Sequence, residues 1–147
     1  MKQEVFPICS PELLQGEHPL ASPVDLRWHT LIHFDPTFYD PDWPQWKKWL
    51  RAAEVTGIDA SVGPRFSSPN FTIQAVLQGQ GVALAVSLMA DELVADRRLI
   101  RLFDVNYPGN YGYYGVMSEE KAEESRVSAF WEWLTAEAKE TESNGSS

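Results

Sequence analysis

The sequence has one cysteine, Cys9, in 147 residues. That excludes an internal disulfide and any multi-cysteine zinc site. It is also short of positive charge. Twelve Lys and Arg face 21 Asp and Glu, for a formal net charge of -9. A nucleic-acid binder neutralises phosphates with clustered basic residues, so no direct nucleic-acid contact is expected of this chain. Long apolar runs are missing too. Nothing approaches the roughly 20 residues of a membrane span, and Met1-Lys2-Gln3-Glu4 opens no apolar signal segment. The expected location is the cytoplasm, away from the membrane.

Aromatic residues are plentiful: six Trp, seven Phe and five Tyr. They are enough for the core of one ordinary domain. The pattern alternates strands and helices. Glu4 to Ile8 reads as a buried strand, with Ser10 capping and Pro11 starting a short helix. Ser22-Pro23 repeats that start. Thr30 to Phe34 is a strand, and Asp35 to Trp43 a loop in which Asp42 caps the next helix. Trp46, Trp49, Leu50 and Ala53 recur at helical spacing, with Gly57 as the stop. Arg65 to Ser67 is a strand, and Ser68-Pro69 opens a helix bearing Ile73, Val76 and Leu77. After Gly79 and Gly81, Val82 to Val86 reads as a strand covered on both faces. Leu88 to Ala95 is a helix, Leu99 to Phe103 a strand, and Tyr113 to Met117 a last strand. Val127, Phe130, Trp131, Leu134 and Ala138 mark an amphipathic C-terminal helix. Glu140 to Ser147 is a polar tail without reason to order. The whole is an α/β domain with a mostly parallel sheet.

Candidate chemistry is sparse. His29 and His33 are four apart, but they flank a strand, and no metalloprotease pattern surrounds them. No metal site and no cofactor are expected. Gly79-Gln80-Gly81 follows a helix and opens a strand, the reverse of a phosphate loop, and is read as a helix stop. Cys9 before a helix start would suit a nucleophile, yet a small buried cysteine explains it as well. The Trp-rich helix fits a core stripe better than a stacking platform. No paired acid and base stands out, so no enzyme is expected.

Three segments carry a family resemblance. They are Val5-Phe6-Pro7-Ile8-Cys9-Ser10-Pro11-Glu12-Leu13-Leu14, Gly63-Pro64-Arg65-Phe66-Ser67-Ser68, and Ile73-Gln74-Ala75-Val76-Leu77-Gln78-Gly79-Gln80-Gly81-Val82-Ala83-Leu84-Ala85. Pro23-Val24-Asp25-Leu26 and His29-Thr30-Leu31-Ile32-His33 lie between them. Asp91-Glu92-Leu93-Val94-Ala95 and Leu99-Ile100-Arg101-Leu102-Phe103 follow. In this order they resemble the effector-binding domain of LysR-type transcription regulators, in the branch that contains the glycine-cleavage-system activators.

The resemblance implies a type 2 periplasmic-binding-protein-like fold with one lobe whole and the other incomplete here. Residues 1–104 would be the family's second lobe. Residues 105–139 would be the returning strand and C-terminal helix of its first lobe, and 140–147 a disordered tail. The chain would be a truncated effector-binding domain, without the DNA-binding head. It implies a small-molecule effector, a carboxylate or an amino acid, held by Ser67, Ser68 and Asn70, with Phe34 and Val82 walling the pocket. It implies a homo-oligomer, or a mixed oligomer with a full-length LysR regulator. A stand-alone solute-binding module, a non-functional gene fragment and an enzyme built on Cys9 are the alternatives.

Overall fold

The computed structural model describes residues 4–35, 44–105, 107, 115–122 and 124–144. The chain divides into two compact units, Gln3–Tyr111 and a second made chiefly of Gly112–Ser147.

The larger unit is a five-stranded sheet in the order β3-β2-β4-β1-β5. Its strands are β1 (Val5–Cys9), β2 (Leu31–Phe34), β3 (Arg65–Phe66), β4 (Val82–Val86) and β5 (Ile100–Arg101). β2 runs parallel to both β3 and β4, while β1 runs antiparallel to β4 and to β5. Four strands therefore point one way and β1 alone opposes them, so the sheet is mixed and mostly parallel. Pro7 costs β1 little here, because the contact it makes to the chain beyond β5 uses its carbonyl, which accepts the Leu102 amide at 2.8 Å.

Both faces of the sheet are covered, and side chains alternate between them as a strand's period of two requires. On one face Phe6, Ile8, Ile32, Ala83 and Ala85 pack with Ala75 and Val76 of α2 (Pro69–Leu77) and Ala90 of α3 (Ser87–Ala95). On the other, Cys9, Leu31 and Val82 pack with Leu26 and with Trp46, Trp49 and Leu50 of α1 (Trp46–Ala52). Trp46 and Trp49 meet edge to face at 5.8 Å, and the Trp46 indole N–H donates to the Ile32 carbonyl at 2.9 Å. The tryptophan stripe is core, as its spacing predicts.

Several local expectations change. The two early helices are single 3-10 segments, Pro11–Gln15 and Pro23–Trp28. Only the second has a side-chain lock at its start. The Asp25 carboxylate accepts the Ser22 amide at 2.8 Å and the Ser22 hydroxyl at 2.9 Å. Those bonds, the hydroxyl's first, hold the Asp25 carboxyl below its ordinary range. Ser10 and Ser68 occupy cap positions, but neither makes a side-chain cap bond. Asp42, the expected cap of α1, lies outside the described residues; the helix starts after Gln45. β5 keeps two residues of the expected Leu99 to Phe103 strand, because Phe103 turns to a φ of 56°.

The smaller unit holds α4 (Glu119–Ala122) and α5 (Ser125–Asn144). Of the expected strand Tyr113 to Met117, Tyr113 and Tyr114 lie outside the described residues, and the described Gly115, Val116 and Met117 are not in a strand. Helix α5 continues past Glu140 to Asn144, a correction to the disordered tail expected from Glu140 onward. A helix already begun adds one bond per residue fixed, and Lys139, Glu140, Thr141 and Glu142 contain no breaker.

Ile8 is fully buried between α2, α3 and its strand neighbours. Ile8→Ala is expected to cost about 2–5 kcal/mol of unfolding free energy, because the close-packed face cannot collapse onto the gap. Urea unfolding followed by tryptophan fluorescence measures it.

Candidate functional site

The parallel strands β3, β2 and β4 end at one edge of the sheet, with Phe66, Phe34 and Val86 as their last residues. In open α/β sheets the carboxyl ends of strands are where ligands sit. Here β3 leads into α2 and β4 into α3, so both helices begin at that edge. Their first-turn amides and the positive ends of their dipoles face the same side.

Phe34, Ser67, Ser68 and Asn70 all fall at this edge. Phe34 sits opposite Phe66 in the β2–β3 register, and Ser67 and Ser68 bridge Phe66 to α2. The Thr72 amide and hydroxyl both donate to the Ser68 carbonyl, each at 3.2 Å. That fixes the turn through the backbone, and the Ser68 hydroxyl is not consumed as a cap. Ser67 and Asn70 are exposed. Phe34, Pro44, Pro69, Thr72, Val86 and Met89 line a dimple of about 10 Å³, the room of about one water molecule. Asn70 opens onto a neighbouring groove of about 310 Å³ that shares Pro69, Ile73 and Met89 with the dimple. The edge thus carries an apolar hollow, with the polar Ser67, Ser68 and Asn70 beside it.

Val82 does not join these residues. It begins β4, pairs with Leu31 and is fully buried beneath α1. It lies at the amino end of the strand, away from Phe34. Val86 and Met89 take the place expected of it. The direction rule itself would have chosen the last residue of the apolar run over the first.

Electrostatics at the edge are modest. Arg65 and Asp35 form an exposed pair at 3.5 Å, of the kind worth about 0–1 kcal/mol. On the other side of the sheet's middle strand, Arg101 lies 4.2 Å over the Phe6 ring and 2.7 Å from Glu4. Asp91 nearby is raised above the usual carboxylate range by burial first, with Glu4 adding to it and Arg101 opposing. Among the described residues no group of His, Cys, Asp and Glu is placed to hold a metal ion. No helix among them is long and apolar enough to cross a membrane.

Comparison with known proteins matches residues 1–139 to the family of the LysR substrate binding domain. The chain belongs to the LysR substrate-binding-domain family. The glycine cleavage system transcriptional activator of Escherichia coli K12 is 36% identical over 134 residues, 91% of this chain and 42% of that protein. The homologue of that activator in Haemophilus influenzae is 28% identical over 96% of this chain and 44% of its own. The chain therefore spans less than half the length of these relatives. Among solved structures, the effector domain of the regulator AmpR of Pseudomonas aeruginosa superposes with a TM-score of 0.67 at 27% identity, covering 99% of this chain and 66% of that one. The regulatory domain of CrgA from Neisseria meningitidis, at 21% identity, gives 0.62 over 93% of this chain and 65% of its own, and shares the fold. The LysR substrate-binding domain is an effector-binding domain with the type 2 periplasmic-binding-protein-like fold.

Cys9 sits at the end of β1 with no exposure, and burial pushes its thiol up to about 11. A nucleophilic cysteine needs the opposite shift. Native protein at pH 8 is therefore expected to react with a thiol reagent at least a hundredfold more slowly than the urea-unfolded chain, on the order of the lost thiolate fraction. Absorbance of the released thiolate follows the reaction.

Proposed function

We propose that the chain senses a small-molecule effector as part of a LysR-type transcription regulator. The observation that carries this reading is the match to transcriptional activators across 91% of the chain. The polar rim of Ser67, Ser68 and Asn70 over an apolar floor supports a small ligand with an anionic end, a carboxylate or an amino acid. An anion there would meet the first-turn amides of α2, the amide of Asn70 among them, since Pro69 at the first position offers none.

The division into units near residue 111 supports assigning residues 1–104 to the family's second lobe. On the same reading 105–139 belong to the first lobe. The dimple holds little more than one water, which fits one wall of a cleft that needs a second lobe to close it. A small ligand normally has most of its surface buried, so one wall alone gives weak affinity. On this reading the chain has no catalytic role. It makes no direct contact with DNA, and it associates with copies of itself or with a full-length LysR regulator.

NMR titration of the ¹⁵N-labelled chain with glycine and other small carboxylates tests the site. Amide shifts are expected at Ser67, Ser68 and Asn70, saturating on the order of millimolar, the strength of about 4 kcal/mol. Ser68→Ala is expected to weaken them about tenfold, the loss of one hydrogen bond to a charged group. Shifts gathered instead around Val82 and Leu31, or none with any carboxylate, would remove the assignment.

A further inference from the structure

We propose that His33 is a positioning residue for the effector loop: it clamps Val62, Gly63 and Pro64 onto β2 and so helps set where Ser67 and Ser68 stand. Only the use of that loop rests on the effector reading; the clamp stands on its own geometry.

His33 lies in β2 with 9% of its surface exposed. Its backbone amide donates to the Pro64 carbonyl at 2.9 Å, and its Nε2 lies 3.1 Å from the Val62 carbonyl. A carbonyl can only accept, so Nε2 carries the proton and donates. One residue thus holds the carbonyls on both sides of Gly63. Gly63 has a φ of 134°, and a Cβ there would lie 1.8 Å from the Leu31 carbonyl oxygen. The segment therefore presses against the backbone of β2 with no room to spare.

Beyond Pro64 the chain has two residues of strand, then Ser67 and Ser68. β3 is an edge strand, and outside the clamp it is tied to β2 by the Asp35 amide on the Phe66 carbonyl at 2.8 Å and by the exposed Arg65–Asp35 pair. A two-residue edge has little hold of its own. The clamp next to it therefore adds to the packing of Phe66 against the core and to the hold of Thr72 on the Ser68 carbonyl in keeping the loop in place.

The imidazole also makes the clamp sensitive to acid. A second proton would put a charge in a buried spot. Burial is the main cause that lowers the His33 pKa below 6.5, and Arg65 across the pairing adds to it. The Val62 carbonyl and Asp35 oppose the shift. Asp59, just before the clamped segment, has its carboxylate occupied by the Ser61 amide and hydroxyl at 2.9 and 2.6 Å. The opened segment, with His33 in water, binds the proton more tightly than the closed one. Closure is thus full above the ordinary histidine value, weakens as pH falls from there to the lowered one, and changes no further below it.

Amide hydrogen exchange of the 147-residue chain, corrected for the chemical rate at each pH, tests this without any ligand. The His33 and Asp35 amides report on the β2–β3 junction. In the wild type their opening is expected to rise about tenfold for each unit of pH between the ordinary histidine value and the lowered one, and to level off below that, while β4 amides stay protected. His33→Gln, a neutral donor of similar reach, is expected to keep the protection and lose its pH dependence. His33→Leu is expected to lose protection at every pH. A flat wild-type profile, or a Gln variant that keeps the pH dependence, would overturn the proposal. An effector site found elsewhere would leave the exchange result standing, and a flat profile would leave the effector site standing.

Discussion

Everything in the larger unit depends on β4 being buried on both sides at once. Val82–Val86 is flanked by β2 running with it and β1 running against it, and it is covered above and below by helices. A strand in that position has no polar face to show, and every backbone group must find a partner within the sheet. Gly81 makes the entry possible. At φ 157° it brings the chain so close to β2 that a Cβ would stand 2.3 Å from the Thr30 carbonyl oxygen, and the next amide, Val82, donates to that same carbonyl at 2.9 Å. Once β4 is fixed, the directions of its neighbours are fixed with it.

Those directions shape the candidate edge. Because β2, β3 and β4 end together, the starts of α2 and α3 are brought to one edge, and the dimple forms where Phe34, Pro69, Val86 and Met89 meet. Among the described residues, Thr72 is the buried polar residue that lines the dimple, its hydroxyl spent on the Ser68 carbonyl, and the Arg65–Asp35 pair at the edge is exposed. The edge offers shape, two serine hydroxyls and backbone amides. The opposing direction of β1 has a separate effect. Its first residue pairs with Val86, and the Ser87 amide donates to the Glu4 carbonyl at 3.0 Å. The chain therefore enters the unit at the same edge at which the candidate ligand wall stands.

Periodicity revealed the elements, and their limits follow from what periodicity measures. The stripe of Trp46, Trp49 and Leu50 and the apolar run of β4 were legible because burial alone decides them. The type of the first two helices was not. Pro11 and Pro23 mark a start, but five or six residues before a Gly or His stop hold only tight turns, and spacing cannot tell a 3-10 segment from an α-helix over that length. Ser68 was placed at the right position with the wrong bond, since cap preference describes a hydroxyl and the turn here is closed by Thr72. Val82 lies apart from Phe34, Ser67, Ser68 and Asn70 for a topological reason. A sequence run has two ends, and only strand direction says which one shares an edge with the starts of α2 and α3. His33 was legible as a histidine on a buried strand. Its hold on Val62 was not, because 29 residues separate them in sequence.

The smaller unit shows where pattern alone overstates packing. Val127, Phe130, Trp131, Leu134 and Ala138 recur as one stripe, which predicts one buried face. In α5 the aromatic residues part company. Trp131 is half-buried and packs against Gly115, whose added Cβ would come within 2.6 Å of the indole. Phe130 and Trp133 contact each other at 5.7 Å and are each 56% exposed. Two residues apart on a helix, Trp131 and Trp133 point nearly opposite ways, so no single flat partner can cover both. The helix is therefore apolar on more than one side, and the polar residues between, Glu132 and Thr135, narrow its wet face. The Thr135 hydroxyl turns back onto the Trp131 carbonyl at 2.8 Å, which takes one more polar group out of solvent. Such a helix needs packing on two sides to bury its aromatics, and within its own unit Gly115 supplies one.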